Sequence, residues 1–143
     1  PLYEDSRIEE LSFGSYEGMR AAGGEKDAQS EAFNRFFTDT ANYIPPRDAE
    51  TVPQLYERTG DFLAEICARE DLRDKSVLVS THGAAMTALL NRIRGNLSVS
   101  EFWRDEVPPN CSVTEVEIRD AKPQIIREGV IYYKEKVKKW KTV

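Results

Sequence analysis

Between residues 76 and 95 the apolar residues change period once, and that change restricts the fold more than any other feature of the chain. Ser76-Val77-Leu78-Val79-Ser80 is a short β-branched run without polar alternation, the pattern of a strand buried on both faces. Thr81-His82-Gly83 ends it. Ala84 to Arg94 then places Met86, Leu89, Leu90 and Ile93 at helical spacing, and Gly95 stands where a left-handed C-cap is expected. A strand that turns directly into a helix is the building unit of α/β folds, so Val77, Leu78 and Val79 are expected in a central strand with helices packed against its sheet.

The flanking segments agree with that class. Ala32, Phe33, Phe36, Phe37 and Ala41 recur at helical spacing behind Ser30, a candidate cap, and Pro45-Pro46 forbids continuation. Thr51-Val52-Pro53-Gln54 fits a capping box with proline in the tolerant first turn. It opens a helix whose stripe is Val52, Leu55, Tyr56, Thr59, Phe62, Leu63, Ile66 and Cys67, weakened slightly by Gly60. Ser98-Val99-Ser100-Glu101 reads as a second capping box starting a short helix through Phe102 and Trp103, stopped by Pro108-Pro109. Residues 111–118 and 124–133 read as strands on either side of a Lys122-Pro123 turn. Val113 and Val116 fall out of phase in the first, which suggests a bulge or burial on both faces. Residues 14–24 hold four of the eight glycines and no apolar period, so they form a loop.

With 143 residues, the chain has room for one domain and one core. It opens on Pro1 rather than Met, as a processed product or part of something longer would. No run of 18 apolar residues and no basic start followed by an apolar stretch occurs, so neither membrane spanning nor export is expected. Twenty Lys plus Arg against 25 Asp plus Glu give a net charge of -5, which does not supply the attraction that a nucleic-acid backbone requires. Residues 134–143 are the basic exception, with Lys134, Lys136, Lys138, Lys139 and Lys141 around Val137 and Trp140, and are expected to be a solvated tail. Cys67 and Cys111 have no metal spacing and are expected to be reduced core residues of a cytoplasmic protein.

Chemistry is expected where the strand meets the helix. The first N–H groups of a helix lack intrahelical acceptors and sit at the positive end of its dipole, so an anion such as phosphate suits the turn at Gly83 and Ala84. Gly83 allows close approach to the backbone, and His82, the only histidine in the chain, adds a donor or a charge. A histidine hydrogen-bonded in a turn is the alternative. Glu9 and Glu10 form a second candidate, because adjacent residues of an extended segment point to opposite sides and one carboxyl can face a crevice as a general acid. A solvated acidic pair is the alternative there.

Four landmarks, in order, add a resemblance: Arg7-Ile-x-Glu10-x-x-Phe13-Gly14-x-Tyr16-Glu17-Gly18, Pro46-x-x-Ala49-Glu50-Thr51, Val77-Leu-Val-Ser-Thr-His82-Gly83, and Asn110-Cys-Ser112-Val113. Together they resemble the histidine phosphatase superfamily, the phosphoglycerate mutase-like enzymes. Tyr16 stands where tryptophan is commoner, and Ala49 where the family's Gly-Glu-Ser turn has glycine. The resemblance implies a three-layer helix/sheet/helix α/β fold and a small phosphorylated substrate, with no metal or other cofactor. It makes Glu10 the proton donor and His82 the phosphate-binding histidine, with Gly83 and Ala84 beside it in the substrate pocket.

The family's nucleophile is a histidine in an Arg-His-Gly motif at the end of the first strand, supported by an arginine in a Ser-Pro-x-x-Arg-Ala segment. Neither motif occurs in these residues, and a single histidine cannot be both nucleophile and phosphate ligand. The resemblance therefore implies an incomplete sheet lacking the first family strands, its edges to be covered by an amino-terminal fragment or by a second copy in a homodimer. Residues 1–143 are expected to be one partial domain of a phosphohydrolase or phosphomutase, inactive in isolation. The alternative is a noncatalytic module that binds a phosphorylated ligand or a partner.

Overall fold

The computed structural model describes residues 1–20, 28–104 and 107–134. Among the described residues three helices carry the fold: α1 (Ala28–Thr38), α2 (Val52–Ala68) and α3 (Gly83–Arg94). A hairpin of β1 (Val113–Arg119) and β2 (Lys122–Val130) follows them, and single 3-10 turns lie at Ser6–Ile8, Gly14–Tyr16, Thr40–Asn42 and Glu70–Leu72. The architecture is α/β, with a sheet of two antiparallel strands among the described residues.

The helices follow their sequence signals closely. The capping box at the start of α2 is complete: Gln54 N–H donates to Thr51 Oγ1 (3.3 Å), and Thr51 N–H donates to Gln54 Oε1 (2.8 Å). Gly95 closes α3 with φ of +73°, a conformation glycine adopts without the Cβ penalty. Helix α2 buries Val52, Leu55, Tyr56, Thr59 and Phe62 against α3, which turns Ala84, Ala85, Ala88, Leu89 and Leu90 inward. The small alanines let the helices approach. Ser30 is no cap, because α1 begins two residues earlier.

The core joins Leu11, Phe36, Val52, Leu55, Tyr56, Ala84, Ala85, Ala88 and Phe102. Phe36 meets Phe13 and Trp103 edge-on, at 5.1 and 5.3 Å between ring centroids, the arrangement that ring quadrupoles favour. Trp103 Nε1 donates to Phe36 O (2.8 Å), so the indole leaves no buried donor unpaired. Asn91, fully buried, donates through Nδ2 to Tyr56 Oη (3.1 Å) and Phe102 O (2.8 Å), tying α2, α3 and the following turn together.

Four expectations change. Residues 76–80 make no ladder among the described residues, and Val77, Leu78 and Val79 are exposed, Leu78 at 88%. The apolar character is real, but a strand exists only through its neighbours and no described segment supplies one. The second capping box does not form. Glu101 instead accepts from Asn96 Nδ2 (2.6 Å), Asn96 Oδ1 accepts from Ser98 N–H (3.0 Å), and residues 98–104 form turns rather than a helix.

The hairpin reverses at Asp120-Ala121, both at positive φ (50° and 59°), one pair earlier than the proline suggests. Pro123 pairs with Ile118 inside the ladder, and a two-stranded sheet has only edges, where a missing N–H is tolerated. The expected bulge is present around Glu115. Cys111 is exposed in the turn before β1 and Cys67 is half-buried, so neither is a core residue. The basic tail beyond Lys134 and the loop's residues 21–24 lie outside the described residues.

Candidate active site

Residues 5–12 approach the N-terminus of α3 and are fixed there by side chains rather than by a sheet. Asp5 Oδ1 accepts from Arg7 N–H (2.9 Å), capping the first 3-10 turn, and Arg7 returns a bidentate guanidinium contact. The hydrogen bonds from Arg7 hold the Asp5 carboxyl below its ordinary range, and the same pairing with Asp5 and Glu65 raises the Arg7 guanidinium. Thr81 Oγ1 donates to Ile8 O (2.6 Å), and Glu50 N–H donates to Ser12 O (2.8 Å). Gly14 packs where no side chain fits: φ is +55°, and a Cβ there would lie 2.7 Å from Asp48 Oδ1 and 2.8 Å from Ala49 N.

Arg58 completes the framework. Its Nε and Nη2 bind the Glu50 carboxylate (2.6 and 2.8 Å), Nη1 donates to Arg7 O (2.8 Å) and Glu9 O (2.9 Å), and Nη2 donates also to Glu10 O (3.1 Å). Neither Arg58 nor this use of Glu50 was expected from the sequence. The available signal was the Glu50 spacing to Arg58: one precedes the cap of α2 and the other lies in its second turn.

The Glu10 carboxylate ends on the first turn of α3. Oε1 accepts from Ala84 N–H (3.1 Å), Ala85 N–H (3.2 Å) and Leu11 N–H (3.0 Å), and Oε2 accepts from Ala84 N–H (3.2 Å). The N–H groups expected to stand open for an anion are therefore taken by the chain's own carboxylate. Gly83 runs alongside it, with its Cβ position 3.8 Å from Glu10 Oε2. His82 is the N-cap residue of α3; its ring is exposed and makes no capping bond, while its carbonyl accepts from Met86 N–H (2.9 Å). Glu9 is exposed, so the two carboxylates do part as the extended segment requires. The structure thus brings Glu10, His82, Gly83 and Ala84 to one helix end. Among the described residues no group of three His, Cys, Asp or Glu side chains is placed to hold a metal ion.

Residues 1–130 match the model of the histidine phosphatase superfamily, branch 1. The chain belongs to the histidine phosphatase superfamily. Among its relatives, the metal-independent phosphoserine phosphatase of Arabidopsis thaliana is 30% identical over 116 residues, covering 80% of this chain and 44% of that protein. The putative phosphoserine phosphatase 2 of Hydrogenobacter thermophilus is 22% identical over 125 residues, covering 87% of this chain and 58% of that one. The chain thus spans about half the length of these curated relatives. Among solved structures, Bacillus stearothermophilus YhfR matches 90% of this chain and 61% of its own with a TM-score of 0.76 at 23% identity, which shows the phosphoglycerate mutase-like fold. In this chain Glu10 and His82 are 72 positions apart in sequence, and the Glu10 carboxylate meets the helix that His82 caps at the Ala84 N–H.

Proposed function

We propose that these residues form the acid-bearing part of a phosphohydrolase acting on a small phosphomonoester, with phosphoserine-like compounds as the substrate class the curated relatives suggest. The observation that carries this is the Glu10 carboxylate held on the N–H groups of Ala84 and Ala85, two and three positions after the N-cap His82 of α3. A site that holds one anion by helix N–H groups suits another, and a phosphoryl group brings more oxygens to satisfy them.

On substrate entry the equatorial phosphoryl oxygens take the Ala84 and Ala85 N–H groups, with His82 as a further donor. Glu10, released from those N–H groups toward the leaving oxygen, takes up a proton from solvent beside the phosphoryl anion. A nucleophilic histidine from sequence outside these 143 residues attacks phosphorus in line, the bond to the leaving oxygen breaks, and Glu10 protonates that oxygen. In the second half-reaction the Glu10 carboxylate takes a proton from water, which attacks the phosphohistidine and frees phosphate. Within this scheme the apolar run at 77–79 is an unfilled place in the sheet, to be paired by the strand that carries the nucleophile.

The test uses an aryl phosphate, with this chain and with a form extended through whatever coding sequence precedes Pro1. The extended form is expected to turn over, and Glu10→Gln and His82→Ala each to lower kcat by roughly 10²-fold or more, as loss of a general acid or an oxyanion donor does. An extended form indifferent to both substitutions would sink the assignment. Phosphate binding without turnover in the extended form would leave the noncatalytic module as the better account.

A further inference from the structure

We propose that Arg58, locked by Glu50, is the positioning residue that sets Glu10 on the end of α3. The inference rests on the role given to Glu10 above, but its evidence is the hydrogen-bond geometry. A guanidinium has five N–H donors, and all five of Arg58 are used: two on the Glu50 carboxylate and three on the carbonyls of Arg7, Glu9 and Glu10. The three carbonyls belong to the segment that ends at the acid. Because residues 6–12 have no strand partner among the described residues, these three carbonyls would otherwise lack a partner in the protein, and the stretch carrying Glu10 would be held only on either side, at Ile8 O, Ser12 O and the buried Leu11.

Fixing Glu10 O fixes its Cα, and the short side chain then reaches Ala84 and Ala85 at 3.1 to 3.2 Å. Glu50 fixes the guanidinium in turn, since a bidentate carboxylate sets the plane of the fork. The pair is largely screened from solvent, with side-chain exposures of 22% for Arg58 and 16% for Glu50. Among the described residues, the Arg58 hydrogen bonds go to Glu50 and to the carbonyls of Arg7, Glu9 and Glu10 and none to the helix end itself, so it acts through Glu10. Lysine cannot replace it. An ammonium is a single point with three donors and cannot span a carboxylate and three separate carbonyls.

The amide protons of Ala84 and Ala85 report whether Glu10 is in place, independently of catalysis. In 15N-labelled chain, Glu10→Ala is expected to move both resonances upfield by removing the charged acceptor. Arg58→Lys should reproduce more than half of that displacement, and Glu50→Gln a smaller part in the same direction. The double variant Glu10→Ala with Arg58→Lys should add little to Glu10→Ala alone. The hairpin amides of Val116 and Ile125 should stay fixed throughout.

Wild-type positions for Ala84 and Ala85 in Arg58→Lys would overturn the proposal. So would a loss of dispersion across the whole spectrum in both Arg58→Lys and Glu50→Gln, which would make the pair a general bolt of the fold. If the amides respond as expected while the extended enzyme ignores Glu10→Gln, the positioning stands and the acid role falls.

Discussion

Leu78→Ala separates an open sheet place from a buried strand. With 88% of Leu78 in water, only about an eighth of the ~1.5–3 kcal/mol gained by burying a leucine is at stake, so the substitution should cost ~0.2–0.4 kcal/mol in the 143-residue chain. Leu55→Ala is the internal control. Leu55 is fully buried between α2 and α3, and its truncation removes packing and leaves a cavity, a cost of about 2–5 kcal/mol. Urea unfolding followed by far-UV circular dichroism reads both, with unchanged m-values confirming that stability and not compactness has moved. In a form whose added strand pairs with residues 76–80, the cost of Leu78→Ala should rise into the range of the control. A loss of ~2 kcal/mol or more in the 143-residue chain itself would refute the reasoning, since it would place Leu78 in a packed core.

Three further outcomes follow from the geometry. Burial pushes the Tyr43 phenol up to about 12, so it should be among the last to ionise in an absorbance titration, and Tyr43→Phe should delete that late step. Because the folded value is raised, the stabilisation is complete below the unfolded value near 10 and is lost as pH rises toward 12; the drop in stability over that window should shrink in Tyr43→Phe. Asn91→Leu leaves Phe102 O and Tyr56 Oη without their buried donor and should lower stability by about 1–3 kcal/mol in a denaturant titration. Thr51→Ala removes half of the capping box and should cost about 1 kcal/mol by the same measurement.

What was legible in the sequence was local. The capping box at Thr51, the C-cap at Gly95 and the stripes of α2 and α3 depend on residues a few positions apart, and each appears where its pattern lies. The failures depend on partners. Residues 76–80 carry the composition of a strand, but composition cannot supply the neighbour that makes one. Ser98 and Glu101 have the spacing of a cap, yet Asn96 takes the glutamate first. Glu10 and His82 were found as motif residues, whereas Arg58 was hidden because three of its acceptors are main-chain carbonyls about 50 positions away, which carry no residue-specific mark.

Phosphoryl trapping tests the central claim most directly. The 143-residue chain and the extended form are each mixed with a radiolabelled phosphomonoester, quenched in alkali and digested for peptide mapping. No label is expected on the 143-residue chain. The extended form should carry an acid-labile phosphoryl group on a peptide outside these residues, and Glu10→Gln should slow its discharge by roughly 10²-fold. Label recovered on His82 of the 143-residue chain would contradict the account, because the only histidine present would then be the nucleophile itself.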